Sequence, residues 1–124
     1  MPKTALLVDD NADLRRILAA TLRGGGFEIL EAGTGSEAIK KAISEKPHII
    51  LMDLQLPDIT GPYVARILKN HPDTAAIPIV GWTGFIGLEH KEAALSAGMV
   101  DCLVKPLSLE TIAKKLDEFI FFER

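Results

Sequence analysis

The sequence predicts a single doubly wound α/β domain, in which helices cover both faces of a parallel β-sheet. Its 124 residues suit one domain, and its hydrophobic and charged fractions of 48% and 25% are those of a globular protein. Five short β-type segments alternate with five segments of helical periodicity. This alternation is typical of parallel sheets built from strand–helix–strand units.

The first two predicted strands flank a helix. Residues 4–8 (TALLV) are nearly all apolar, as expected of a strand that is covered on both faces. Residues 12–23 have helical periodicity and are followed by glycines 24–26, which readily adopt the left-handed conformation that ends a helix. Residues 27–32 form the second strand. The predicted inward face of the helix contains Leu14, Ile17, Leu18, Thr21 and Leu22.

A second helix and a third strand follow. Residues 36–45 have helical periodicity, Ser36 is the predicted N-cap, and Pro47 ends the segment. Residues 48–52 (HIILM) form the third strand. The polar segment 53–61 contains a proline and a glycine and is therefore predicted to be a loop.

The C-terminal part of the sequence adds three helices and two strands. The third helix covers residues 62–70 and begins with a proline, which suits a first helical turn. Strands are predicted at residues 78–82 and 101–104, with the fourth helix between them at residues 88–97. The last helix covers residues 108–119.

Polar residues that could carry chemistry fall at the predicted strand ends. Asp9 and Asp10 follow strand one. Asp53, Thr83 and Lys105 follow strands three, four and five. Because ligands of open parallel sheets bind outside the carboxyl ends of the strands, we expect these side chains to converge on one edge of the sheet.

This combination of groups suits a magnesium ion and a phosphoryl group. Three neighbouring carboxylates repel one another unless a cation lies among them, and Mg²⁺ prefers oxygen ligands. No pair of histidine or cysteine ligands lies nearby in the sequence, which argues against zinc. Phosphoryl transfer requires an in-line nucleophile and neutralisation of the phosphoryl charge, and a carboxylate can be that nucleophile.

Four segments are specific in combination: LLVDDN at residues 6–11, ILMDLQLP at 50–57 with Gly61, Thr83-Gly84, and Lys105-Pro106. In this order and spacing they resemble the receiver domains of response regulators in two-component signalling. The resemblance covers essentially the whole chain. It implies one receiver domain over residues 1–124, with the flavodoxin-like strand order 2-1-3-4-5.

The resemblance also implies a phosphoacceptor and a metal site. Asp53 would accept a phosphoryl group from a phosphohistidine on a histidine kinase or histidine phosphotransfer protein. Mg²⁺, for which Mn²⁺ could substitute, would bind the side chains of Asp10 and Asp53 and the backbone carbonyl of Gln55, and it would bind Asp9 directly or through a water. Such a protein would phosphorylate and dephosphorylate itself, as a switch and not as a metabolic enzyme.

Three further residues would contact the phosphoryl oxygens by the same resemblance. These are the Lys105 ammonium, the Thr83 hydroxyl and the backbone N–H of Gly84. Movement of Thr83 toward the phosphate would then change the affinity for a downstream protein target or an output domain.

The sequence departs from the family pattern at two positions. Cys102 stands where the family usually has an aromatic residue, so Trp82 or Phe85 is the candidate to report the switch; the alternative for Trp82 is plain core packing. Phe85 also stands where the family tunes hydrolysis, and its side chain cannot hydrogen-bond a water. We therefore expect a longer-lived phosphoryl group than in relatives with polar residues both there and at the position of Gln55, which also tunes hydrolysis in the family.

Composition limits the remaining possibilities. The net charge of −3 and the absence of a basic run argue against direct nucleic-acid binding. No apolar run approaches the roughly 20 residues of a membrane helix. The single cysteine fits a cytoplasmic protein.

The run of four apolar residues at 119–122 would suit a homodimer surface on the last helix, or a boundary with a following segment.

Three other functions remain open. An aspartate-nucleophile phosphohydrolase normally has a second aspartate two residues after the first, and that position is Gln55 here. A pseudo-receiver would act as a binding module without phosphorylation, although the full set of site residues argues against it. A nucleotide- or flavin-binding domain would need a glycine-rich loop after strand one, which is missing.

Overall fold

The computed structural model describes residues 3–83, 88–104 and 109–122 of the chain. Within these residues, five strands alternate with five helices. The strands are β1 (Lys3–Val8), β2 (Phe27–Ala32), β3 (Ile49–Asp53), β4 (Ile79–Thr83) and β5 (Asp101–Val104). The helices are α1 (Ala12–Gly24), α2 (Gly35–Glu45), α3 (Gly61–Lys69), α4 (Leu88–Ser96) and α5 (Leu109–Phe122).

All neighbouring strands pair in parallel, in the order β2-β1-β3-β4-β5. This order confirms the predicted topology. The chain reverses its direction of winding at β1, because β2 lies on one side of it and β3 on the other. The carboxyl ends of β1, β3 and β4 therefore lie side by side, where an open sheet forms its ligand crevice.

Two hydrophobic clusters fill the space on the two faces of the sheet. Side chains alternate between the faces along a strand, so Leu6 and Val8 of β1 enter one cluster and Ala5 and Leu7 the other. The first cluster includes buried residues of α2, α3 and α4, and the second includes buried residues of α1 and α5. Burial on both faces explains why residues 5–8 of β1, 49–52 of β3 and 79–82 of β4 carry no charged side chain.

The ends of two strands differ from the prediction in a way that concerns the site. β3 and β4 were expected to end at residues 52 and 82, but Asp53 and Thr83 are their last residues. Asp53 is in register with Trp82 of β4, and Thr83 with Val104 of β5. The prediction failed because a polar side chain suggests a loop, whereas a strand is defined by backbone hydrogen bonds that do not depend on the side chain.

The start of α2 and one residue of α1 also differ from expectation. Thr34, not Ser36, is the N-cap of α2, because the Thr34 side chain accepts a hydrogen bond from the N–H of Glu37. Ile17, expected on the inward face of α1, is 54% exposed, whereas Leu18 and Leu22 are buried. The other element ends lie within three residues of their predicted positions, and β2 and β5 match at both ends.

Candidate functional site

Three aspartates meet at the carboxyl edge of the sheet. Asp9 and Asp10 directly follow β1, and Asp53 ends the neighbouring strand β3. One carboxylate oxygen from each lies within 4.8 Å of the other two. Asp9 and Asp53 are buried, with 3% and 8% of their surfaces exposed, and Asp10 is exposed. The cluster therefore opens to solvent on the side of Asp10.

Backbone N–H groups hold the two buried carboxylates. The N–H of Asn11 donates to Oδ1 of Asp9 at 2.9 Å, and the N–H of Gln55 donates to Oδ1 of Asp53 at 3.0 Å. Each bond spans two residues, so each aspartate closes a short turn that orients its own side chain. Asn11 is in turn the N-cap of α1, which anchors the first turn to a helix.

The loop after β3 is closed by Gly61 at the start of α3. The N–H of Gly61 donates to the carbonyl of Leu54 at 2.9 Å. A Cβ at position 61 would lie 2.5 Å from the carbonyl oxygen of Asp53 and 2.9 Å from Cα of Leu54. These neighbours are backbone atoms, so the loop can approach Asp53 this closely only with glycine at position 61.

The donor set of this cluster fits a hard divalent cation. Its side chains offer carboxylate oxygens and no imidazole or thiolate, which suits magnesium and not zinc. Bringing three carboxylates together raises their mutual repulsion, which a bound cation would relieve. Gln55, expected to offer its carbonyl, lies two residues after Asp53 on the same edge.

The predicted phosphoryl-contacting residues are described only in part. Thr83 is the last residue of β4, the strand that pairs with the β3 strand of Asp53, and it is 2% exposed. Lys105 and Gly84 lie outside the described residues, as does Phe85. Of the predicted site residues, the structure thus brings Asp9, Asp10 and Asp53 together.

Two polar residues near the site were not singled out from the sequence. Arg15 of α1 donates Nη1–H to the carbonyl of Asp9 at 2.6 Å. Asp58 accepts hydrogen bonds from the N–H groups of Gly35 and Ser36, at 2.8 and 2.9 Å. These bonds to backbone N–H groups lower the pKa of Asp58 below the usual range of an aspartate. The Asp58 bonds span 23 and 22 residues, and the Arg15 bond spans six residues across the start of α1, so no helical or strand spacing indicates them.

Cys102 and Trp82 pack on opposite faces of the sheet. Cys102 is 8% exposed and belongs to the cluster beneath α2, α3 and α4, as expected of a small hydrophobic residue. Burial, and then the neighbouring Asp101 carboxylate, raises the pKa of its thiol. Trp82 is 3% exposed in the cluster beneath α1 and α5, which supports its interpretation as a core residue.

Glycine at position 81 of β4 allows its neighbours to approach the strand closely. A Cβ there would lie 3.0 Å from Sδ of Met99, 3.1 Å from Cδ2 of Leu54 and 3.3 Å from Sγ of Cys102. The space that a larger residue would fill is therefore occupied by these three side chains. Leu54 directly follows Asp53, so this packing connects the loop after β3 with β5.

The fold and the acidic cluster agree with the family comparison. A family model described as the response regulator receiver domain matches residues 5–117. The chain belongs to this family. As a receiver domain, it has its three clustered aspartates at the strand ends where the sequence predicted them.

Curated regulatory proteins resemble the chain over nearly its whole length. The phosphate regulon transcriptional regulatory protein PhoB of Pseudomonas aeruginosa is 36% identical over 114 residues, which are 92% of this chain and 50% of PhoB. The polar-differentiation response regulator DivK of Brucella anthropi is 28% identical over 97% of this chain and 98% of its own. The chain spans 17%, 48% and 50% of the length of three curated relatives, one of them a sensor kinase/phosphatase.

Solved receiver structures share the fold. The receiver domain of the sensor histidine kinase PA1611 from Pseudomonas aeruginosa superposes with a TM-score of 0.90 and 28% identity, over 98% of this chain and 99% of that one. Its title describes a magnesium ion coordinated in the active site cleft. No helix in the described part of this chain combines the length and the hydrophobicity of a membrane span.

Proposed function

We propose that this receiver domain accepts a phosphoryl group on Asp53 from a phosphohistidine of a histidine kinase or histidine phosphotransfer protein. The observation that carries the proposal is the meeting of Asp9, Asp10 and Asp53 at the carboxyl edge of the sheet. Asp53 is held through Oδ1 by the N–H of Gln55, which orients the carboxylate before it reacts. Its attack would form a phosphorus–oxygen bond and break the phosphorus–nitrogen bond, whose electron pair stays on the histidine ring.

The residues that would hold Mg²⁺ are Asp9, Asp10 and Asp53, with the backbone carbonyl of Gln55 as a further ligand. When bound, the ion supplies positive charge that neutralises the carboxylates and the phosphoryl oxygens. The same oxygen ligands would accept Mn²⁺. The magnesium-containing structure of the PA1611 receiver domain supports this choice of ion by analogy.

The other site residues have roles that rest on the family pattern. Lys105 and the N–H of Gly84 would meet phosphoryl oxygens, and the Thr83 hydroxyl would move toward the phosphate. Phosphorylation adds about −1.5 to −2 of charge, which is enough to bias a two-state loop. The modified domain would bind a downstream protein or an output domain differently, so the protein acts as a self-modifying switch and not as a metabolic enzyme.

We assign residues 1–124 to one receiver domain and propose that it acts in the cytoplasm, where its phosphodonors would reside. Relatives of this family occur as short regulators such as DivK and as parts of longer proteins such as PhoB. We propose that its partners are proteins, without direct binding to nucleic acid or membrane. A homodimer formed through the last helix stays a prediction, because the side chains of 120–122 lie outside the described part of the chain.

Intact mass spectrometry tests the proposal. The wild-type chain is incubated with acetyl phosphate and Mg²⁺, and it should gain the mass of one phosphoryl group. The gain should disappear with a chelator and in Asp53→Asn, and it should persist in Asp73→Asn, where an exposed aspartate is changed in the same way. Neutral hydroxylamine should remove the group, as it does from acyl phosphates.

The same experiment has an outcome that would contradict the proposal. If the wild-type chain gains no mass while a receiver domain of known activity does so under the same conditions, Asp53 is not a phosphoacceptor for small donors. A second negative result with a phosphorylated histidine phosphotransfer protein would then favour the pseudo-receiver function.

A further inference from the structure

Arg15 of α1 connects the metal-site loop to a neighbouring strand. Its Nη1–H donates to the carbonyl oxygen of Asp9 at 2.6 Å, and its Nε–H donates to Oε1 of Glu31 in β2 at 2.9 Å. The side chains of Arg15 and Glu31 are 17% and 29% exposed, so the pair is largely removed from solvent. The guanidinium of this α1 residue therefore connects the turn after β1 with β2.

These contacts leave Asp9 little freedom. Its N–H donates to the carbonyl of Ala32 at 3.1 Å, its Oδ1 accepts from the N–H of Asn11, and its carbonyl accepts from Arg15. That carbonyl belongs to the planar peptide group that joins Asp9 to Asp10. Fixing this plane fixes the direction in which the backbone enters Asp10, whose side chain is exposed and has no helix or strand to orient it.

We infer that Arg15 is a positioning residue for the metal site. Arg15 holds the Asp9–Asp10 turn so that both carboxylates point toward Asp53. Glu31 orients the guanidinium through Nε and neutralises its charge. The inference rests on the proposed magnesium-dependent function and adds to it a pair of residues outside the expected ligand set. Arg15 does not touch the metal or the phosphoryl group; it acts through Asp9.

The sign of the effect separates positioning from simple electrostatics. A positive charge beside the site repels a divalent cation, so removing that charge should by itself tighten Mg²⁺ binding. Loss of a residue that orients metal ligands weakens binding instead, typically by about 10- to 100-fold. The two explanations therefore predict opposite changes when Arg15 loses its charge.

Arg16 offers a matched control because it is the next residue of the same helix. Its side chain is 74% exposed, and its contact with Asp13 spans 4.0 Å at the surface. Arg15→Gln and Arg16→Gln change the net charge equally, and calorimetric titration of the full chain with MgCl₂ compares them. We expect Arg16→Gln to bind Mg²⁺ as the wild type does or slightly more tightly, and Arg15→Gln to bind about 10-fold more weakly. Arg15→Lys keeps the charge but loses the planar guanidinium that makes both hydrogen bonds, so it should also bind Mg²⁺ more weakly than the wild type.

Hydrogen exchange without metal measures the positioning directly. In Arg15→Gln, the N–H of Asn11 should exchange faster than in Arg16→Gln, because its acceptor on Asp9 is no longer fixed. The N–H of Ile50, which donates to Pro78 in the sheet, should exchange equally in both variants and so reports global stability. This measurement does not need Mg²⁺, so it distinguishes the two proposals if the wild type fails to bind the ion.

Two results would overturn the inference. One is Mg²⁺ affinity in Arg15→Gln equal to or tighter than in Arg16→Gln. The other is equal acceleration of the Asn11 and Ile50 amides, which would show that Arg15 contributes to overall stability and not to the turn. Absence of Mg²⁺ binding by the wild type would instead contradict the proposed function.

Discussion

Asp58 accepts two hydrogen bonds from Ser36, one from the backbone N–H at 2.9 Å and one from the side-chain hydroxyl at 2.8 Å. A third bond comes from the N–H of Gly35 at 2.8 Å. Asp58 lies in the loop that follows the proposed phosphoacceptor, and Ser36 lies in the first turn of α2. The loop is therefore tied to a helix on the same face of the sheet, through groups that are favoured at a helix N-terminus.

We expect the Asp58 link to stabilise the protein in a pH-dependent way. Its folded pKa is lower than that of an unfolded aspartate, about 3.9, so the folded state favours the charged form. The contribution is complete above that unfolded value and declines as the pH falls toward the lower folded value. Urea unfolding from pH 7 to pH 2 should thus give a wild-type advantage over Asp58→Asn that is constant at neutral pH and shrinks below about pH 4.

Asp73→Asn provides the control for this experiment. Asp73 is exposed and lies in the connection between α3 and β4, and the substitution changes the charge equally. Its stability should track the wild type across the same pH range. A difference in unfolding free energy between the wild type and Asp58→Asn that stays constant down to pH 2 would contradict the proposed link between the Asp58 charge and folding.

Gly61→Ala should destabilise the protein and impair Asp53. The added Cβ would lie 2.5 Å from the carbonyl oxygen of Asp53, so the backbone of the loop must shift. Overpacking typically costs about 1–3 kcal/mol, and a clash with backbone atoms belongs at the upper end. We expect urea unfolding to show a loss of about that size, and phosphorylation by acetyl phosphate to slow.

Gly24→Ala is the matched control for Gly61→Ala. No neighbouring atom lies within 4 Å of a Cβ at position 24, at the end of α1. Replacing a helical glycine by alanine should stabilise the protein by roughly 0.5–1 kcal/mol. Equal stability of the two variants would mean that the close approach of Gly61 to Asp53 does not constrain the loop.

The Cys102 thiol should react slowly with alkylating reagents, and it should lower the free energy of unfolding in alkaline solution. Because burial raises its pKa, the folded protein retains the thiol proton at a pH where the unfolded chain, with a cysteine pKa of about 8.5, has lost it. Unfolding free energy should therefore fall above about pH 8.5 in the wild type, relative to Cys102→Ala. Iodoacetamide labelling at pH 8 should be slower in native than in urea-unfolded protein, and equal rates would contradict the burial.

The lifetime of the phosphoryl group should depend on Phe85. A phenylalanine cannot orient a water molecule, whereas glutamate can, so Phe85→Glu should lose the phosphoryl group faster than the wild type. The loss is followed by intact mass after the donor is removed. Slower loss from Phe85→Glu than from the wild type would contradict the hypothesis.

The sequence predicted the topology and the meeting of the three aspartates for a simple reason. Apolar segments that alternate with helical ones predict a parallel sheet, and parallel strands place their carboxyl ends at one edge. The strand order came from the family resemblance. Asp9, Asp10 and Asp53 each adjoin or end such a segment, so their positions along the chain determine their place in the fold. Family resemblance added the expected role of each residue.

Contacts between distant segments could not be predicted in this way. Ser36 was expected to cap α2, but two hydroxyl residues stand near that helix start, and the choice depends on Asp58 more than 20 residues away. Likewise, the reach of Arg15 to Asp9 and Glu31 depends on how α1 packs against the sheet. Such choices are decided by tertiary structure, which local patterns do not contain.

Trp82 is the one tryptophan in the chain, so all of its indole emission comes from a single buried position. Its carbonyl accepts a hydrogen bond from the N–H of Leu54, it is in register with Asp53, and Thr83 follows it in β4. Changes in the packing of the site edge therefore reach this residue through one strand pair. The protein has an intrinsic optical probe, and stopped-flow fluorescence could follow its response to metal and phosphodonor in real time without any attached dye.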